Sequence, residues 1–93
     1  MDIEFRHLNY FIAVAEERSF NKGASRLGIS QPTLTRQLNE LEKGLQVKLF
    51  DRSPFGVTLT GAGSEFFLHS RSLMDEHRDM NLEMRSFADG HIC

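Results

Sequence analysis

Phe5, Leu8, Ile12 and Ala15 fall at steps of three and four along the first segment, and Phe11 and Val14 widen the same apolar side. That spacing gathers apolar side chains on one face of a helix over about Phe5–Arg18 and predicts that the face is core. Ser19 is placed to cap a second helix, Phe20–Leu27, by accepting from an amide its first turn leaves unpaired. Phe20, Ala24 and Leu27 share a face, and Gly28 stands where a helix stops in a left-handed conformation. Ser30 caps again, and Pro32 lies in the first turn, where its missing N–H would be unpaired anyway. Leu34, Leu38, Leu41 and Leu45 then step by four, three and four as the buried stripe of a third helix, about 31–44. At about 100° per residue, Pro32 and Arg36 lie opposite that stripe. Thr33 and Thr35 flank it, Asn39 and Glu40 continue the outer face, and the acids Glu40 and Glu42 begin only beyond the first turns.

After Gly44 the period changes. Lys48–Arg52 and Val57–Leu59 read as two short strands around the turn residues Ser53-Pro54-Phe55-Gly56. Such a hairpin is marginal alone and must lean on the helices. Thr60 caps a last helix, about Gly61–Ala88, whose start Gly61 and Gly63 make soft. Phe66, Leu73, Met80 and Phe87 repeat every seven residues in it, with Phe67, Leu68, Met74 and Met84 near the same seam and Ser70 and His77 interrupting the neighbouring column. A helix of that length runs about 42 Å, whereas so small a domain is only about 30 Å across, so its far end projects. A projecting apolar seam in water calls for a partner, and the simplest is a second copy. The dimerisation candidates are Phe66, Leu73, Met80, Met84 and Phe87; the alternative is a helix folded back onto its own domain.

The order is therefore mostly α: a winged helix-turn-helix of three helices and a two-stranded wing (1–59), followed by a long linker and dimerisation helix (60–89). In a helix-turn-helix the second helix has the dimensions to enter a DNA major groove with its first turns against base edges. Charge placement agrees. The 93 residues carry a net charge of −2, which excludes a uniformly basic coat, yet Arg18–Asn39 holds Arg18, Lys22, Arg26 and Arg36 and no Asp or Glu, a local footprint for a polyanion. Hydroxyls on Ser and Thr reach phosphates or bases, and Gln and Arg form paired hydrogen bonds with adenine and guanine edges. Arg52 is the wing's candidate for a phosphate or the minor groove. The longest apolar run, Tyr10–Ala15, is six residues and ends at Glu16-Glu17, so it is neither a membrane span nor a signal peptide; with Cys93 the single cysteine, no internal disulfide forms, and a cytoplasmic protein is the expectation. His7, His69, His77 and His91 have no metal-ligand spacing with Cys93, no Gly-rich phosphate loop is present, and no nucleophile arrangement points to an enzyme. The rival reading is a winged-helix module that binds protein rather than DNA.

Residues 5–60 resemble the N-terminal winged helix-turn-helix domain of LysR-type transcriptional regulators. The resemblance rests on Phe5-Arg6-His7-Leu8-Asn9-Tyr10-Phe11, Ser19-Phe20, Ala24-Ser25-Arg26-Leu27, Ser30-Gln31-Pro32-Thr33-Leu34-Thr35-Arg36-Gln37-Leu38, Leu41-Glu42, Leu49-Phe50-Asp51-Arg52 and Leu59-Thr60 with Ala62-Gly63. It implies DNA contacts at Ser30, Gln31, Pro32, Thr33, Thr35 and Arg36, with Arg52 in the wing, on an interrupted, partly palindromic promoter site. It further implies a homodimer joined by antiparallel linker helices, a tetramer for the full-length regulator, RNA polymerase as a partner, and no membrane. No cofactor is expected in this chain; a small-molecule inducer would bind a C-terminal domain that residues 90–93 lead into, the alternative being a natural short protein. Three departures from the family pattern stand out: the wing tip is Pro54-Phe55-Gly56 where Arg or Lys is common; Gly23 replaces Ala, which should loosen the second helix by about 1 kcal/mol; and Gln46 replaces a Gly, putting the helix-to-wing turn in question.

Overall fold

The computed structural model describes residues 2–90. Six elements follow in order: α1 (Phe5–Glu17), α2 (Phe20–Leu27), α3 (Gln31–Leu45), β1 (Phe50–Ser53), β2 (Gly56–Leu59) and α4 (Gly61–Ala88). Of the expected lead into a further domain, residues 90–93, all but Gly90 lie outside the described residues.

The caps act as the sequence implies. Ser19 Oγ accepts from the Lys22 amide at 3.1 Å, Ser30 Oγ from that of Thr33 at 3.3 Å and Thr60 Oγ1 from that of Gly63 at 2.9 Å. Each satisfies one of the donors that a helix start leaves open. At the end of α2, Gly28 takes φ 70° and the Ile29 N–H closes on the Ala24 carbonyl at 3.1 Å, which compresses the turn between α2 and α3 to Gly28–Ser30. Gln46, not Gly44, closes α3, in the left-handed region at φ 60°. A non-glycine residue there is strained by about 1 kcal/mol, and the turn nonetheless forms, with Val47 N–H donating to the Glu42 carbonyl at 3.3 Å.

α1, α2 and α3 enclose one core. Phe11, Val14, Leu34, Leu38, Leu41 and Leu49 are its fully buried side chains. Phe11 is the centre of an aromatic cluster, with Phe50 at 5.1 Å, Phe66 edge-on at 4.9 Å and Phe67 at 6.4 Å between ring centroids. The hairpin leans on this core through Phe50. Its strands are antiparallel, pairing Phe50 with Leu59 and Ser53 with Gly56, so β1 starts two residues later than the sequence suggests and Lys48 and Leu49 lie outside it.

Three expectations are corrected. Phe5 is not core: it is 42% exposed, and its ring lies 4.3 Å from that of His77 on α4. The buried polar group of the first turn is His7, whose Nδ1 accepts the Glu4 N–H at 2.9 Å and so completes the helix start. Gly23 does not simply loosen α2. A Cβ there would meet Val14 Cγ2 at 3.0 Å and Val14 Cα at 3.3 Å, so its absence is what allows α1 and α2 to approach. Nor is Gly63 merely soft: an added Cβ would overlap the Leu49 carbonyl, against which the first turn of α4 is set.

The molecule measures 55 × 25 × 21 Å because α4 leaves the body. Phe66, Phe67 and Met74 pack on the core and Ser70 is buried. From Glu76 to Arg85 every side chain is exposed.

Candidate nucleic-acid interface

α3 buries Leu34, Leu38 and Leu41 and turns the opposite side outward. Gln31, Pro32, Thr35 and Arg36 form one shallow concave surface there, continued by Asn39, Glu40 and Lys43. Gln31, Pro32 and Arg36 are exposed, and Arg36 has no ion-pair partner among the described residues. No acidic side chain interrupts the face before Glu40. Glu42, beyond the first turns, is buried: its Oε2 accepts from the amides of Leu49 at 2.7 Å and Phe50 at 3.2 Å. That leaves the outer face of the first turns cationic.

Ser30 and Thr33, which flank Gln31 and Pro32 in sequence, are engaged with each other. Ser30 Oγ donates to Thr33 Oγ1 at 2.8 Å while accepting from the Thr33 amide. Their first role is to fix the start of α3, and thereby the direction of its unpaired amides and positive dipole end.

Arg52 is held rather than loose. Its guanidinium carbon lies 4.2 Å above the Phe20 ring, and Nη2 donates to Asn39 Oδ1 at 3.0 Å. The cation–π contact and the hydrogen bond tie the wing to α2 and α3. Val57 N–H completes the attachment by donating to the carbonyl of Arg18 at 3.2 Å. A second cleft results, in which Arg18, Ser19 and Asn21 at the junction of α1 and α2 face Gln31, Thr35 and Arg52. Five of the seven predicted contact residues, Gln31, Pro32, Thr35, Arg36 and Arg52, line one or other concavity, whereas Ser30 and Thr33 are engaged in the cap of α3.

The basic strip is shorter than its sequence suggests. Arg26 pairs with Glu16 at 2.8 Å and Glu17 at 3.4 Å, and the hydrogen bond to Glu16 raises its pKa above the ordinary value. Arg26 therefore braces α2 against α1, and Arg18, Lys22 and Arg36 remain as the outward cations. Asn39 and Lys43 were not singled out as site residues. Their signal was present in the helical period, which places both on the outer face one and two turns beyond Arg36.

The predicted dimerisation residues divide. Phe66 belongs to the core of its own chain through Phe11. Leu73, Met80, Met84 and Phe87 are half or more exposed, together with Leu68 and Leu82. The seven-residue column is continuous on α4, but the body beneath it ends, so the same face is internal at its root and bare further out. No helix among the described residues is long and apolar enough to cross a membrane.

Three helices, a tight α2–α3 turn and a hairpin pinned beside α3 define a winged helix-turn-helix protein. Residues 5–64 match the profile of the bacterial regulatory helix-turn-helix proteins of the lysR family. The chain belongs to that family. It is 46% identical over 90 residues to the HTH-type transcriptional regulator ClcR of Pseudomonas putida, a match covering 97% of this chain and 31% of ClcR. Among solved structures, the BenM DNA-binding domain in complex with catB site 1 DNA superposes with a TM-score of 0.91 at 39% identity, covering 97% of this chain and all of that one. The DNA complex of the CbnR DNA-binding domain gives 0.84 at 42% identity, covering 92% and 99%.

Proposed function

We propose that this chain is the DNA-reading part of a LysR-type transcriptional regulator, which sets the first turns of α3 into the major groove of promoter DNA and lays the wing on the backbone or minor groove. The observation that carries the reading is the outward face of Gln31, Pro32, Thr35 and Arg36, open and without acids, beside a wing fixed in position by Arg52. Gln31 and Arg36 supply the paired donors and acceptors that adenine and guanine edges require, and Pro32 an apolar surface for a thymine methyl. Arg18 and Lys22 supply charge toward phosphate. The fold likeness to the BenM and CbnR domains, both in DNA complexes, supports the same orientation.

The reading includes a homodimer. Leu73, Met80, Met84 and Phe87 on α4 bring the apolar surface for an antiparallel second copy. Two reading heads then match a partly palindromic site. A tetramer, a small-molecule inducer held outside residues 1–93 and a contact with RNA polymerase extend the proposal to a regulator of the length of ClcR.

Binding of the chain to its own upstream region, followed by footprinting over a range of salt, tests it. A protected duplex site whose affinity falls steeply from low to moderate salt is expected, because each neutralised phosphate releases counterion. A chain that protects no duplex and instead holds a protein partner with little salt dependence would overturn it.

A further inference from the structure

A single apolar side chain on a protein surface needs no account. Phe55 differs in where it stands. It is 100% exposed at the tip of the hairpin, yet its backbone is held. Its N–H donates to Ser53 Oγ at 3.2 Å, and that hydroxyl donates to the Gly56 carbonyl at 3.3 Å. Gly56 takes φ 129°, a conformation open to glycine, which lets the chain reverse directly behind the ring. The backbone of the tip is thus hydrogen-bonded while the ring touches little of its own chain. Ser53, Pro54 and Gly56, on both sides of Phe55, line the cleft that reaches Gln31 and Thr35 of α3. The ring itself does not line the cleft but projects into solvent from the hairpin tip that borders it, next to the face set against DNA.

The wing brings no net charge to that face. Asp51 and Arg52 are its charged residues and they cancel. The Arg52 guanidinium is already seated on Phe20 and Asn39. Attraction to phosphate by counterion release is thus not what the tip offers. An aromatic ring offers something else: apolar side chains enter the minor groove and part adjacent base steps, most readily at flexible pyrimidine–purine steps such as TA.

We propose that Phe55 is the wing's own contact with the duplex, an apolar wedge in the minor groove beside the major-groove site that favours an easily unstacked step there. The proposal rests on the reading of α3 as DNA-facing.

The probe is a duplex selected from a randomised pool by the wild-type 93-residue chain. It is titrated with wild type, Phe55→Ala, Phe55→Leu, Phe55→Arg and Arg36→Ala over a range of salt, with hydroxyl-radical footprints. Phe55→Ala is expected to bind about tenfold more weakly, with unchanged salt dependence and with minor-groove protection lost beside the site but kept at its centre. Phe55→Leu should keep most of the affinity, and Phe55→Arg should bind with a log–log salt slope steeper by about one. Circular dichroism should be unchanged throughout, since the ring supports no packing. Wild-type affinity and intact flanking protection in Phe55→Ala would overturn the proposal, as would protection weakened evenly across the whole site. If Arg36→Ala loses binding while Phe55→Ala does not, the DNA-facing reading stands and only the wedge falls. A wild-type chain that selects no duplex removes both.

Discussion

Glu42 Oε2 accepts the Leu49 N–H at 2.7 Å, and this bond joins the last turns of α3 to the residue that leads into the wing. The same oxygen accepts the Phe50 N–H at 3.2 Å. A buried carboxylate is costly unless it is hydrogen-bonded, and here two amides of the incoming chain meet it. Glu42→Ala leaves both amides unpaired and should destabilise the fold by about 3 kcal/mol. For a chain of this size that lowers Tm by about 15 °C, measurable by thermal denaturation. Glu42→Gln keeps an acceptor and should lose less. Equal melting of both variants with wild type would show that the amides find water instead.

Gly61 and Gly63 lie two residues apart at the start of α4 and should respond in opposite directions. A Cβ at Gly61 meets nothing within 4 Å, so Gly61→Ala should stabilise by about 0.5–1 kcal/mol through helix propensity and lower chain entropy. A Cβ at Gly63 overlaps the Leu49 carbonyl, so Gly63→Ala should destabilise by about 3 kcal/mol despite the same gain in propensity. Urea midpoints of the two variants decide this.

Gln46 closes α3 at φ 60°, where glycine has no Cβ penalty. Gln46→Gly should raise stability by about 1 kcal/mol without altering DNA affinity. A lower urea midpoint would mean that the Gln46 side chain supports the turn in some other way.

Arg36→Ala should abolish specific DNA binding while the domain stays folded, because the side chain is exposed opposite the leucine stripe and makes no ion pair among the described residues. Loss of a bidentate base contact is worth about 1–3 kcal/mol of discrimination. Footprints on the cognate site and a melting curve on the same preparation give both readouts; an unchanged footprint would remove Arg36 from the interface.

Leu73→Asp combined with Met80→Asp should give monomers with weak operator affinity. Both side chains are half or more exposed on the projecting part of α4, so the change places charge where a second copy would pack without disturbing the core. Sedimentation showing an intact dimer would place the contact elsewhere.

The element order and the outward face of α3 were legible because local chemistry specifies them. Ser19, Ser30 and Thr60 mark helix starts, Gly28 marks a stop, and the leucine stripe leaves one set of residues outside. What was not legible depends on neighbours remote in sequence. Periodicity places Glu42 beside the leucine stripe, four residues from Leu38 and three from Leu45, but nothing near it signals that two wing amides arrive seven and eight residues later. Phe5 follows the apolar period of α1, but it lies at the helix end where α4 passes, and so it meets His77 instead of the core. Phe66 and Leu73 share one column, and only the position where the body ends separates a core residue from an exposed one. Arg26 reads as a free cation until the end of α1 brings Glu16 and Glu17 beside it.

The close seating of Gly63 on Leu49, with the Thr60 N–H donating to that residue's carbonyl at 3.1 Å, makes the root of α4 and the base of the wing one rigid piece. The helix then acts as a lever arm of about 42 Å. A tilt of about 10° imposed at its far end would sweep the base of that arm through about 7 Å, the rise of about two base pairs. In the proposed dimer, the spacing between paired reading heads would thereby be tunable by small angular adjustments far from the nucleic acid, with no softening of the heads themselves.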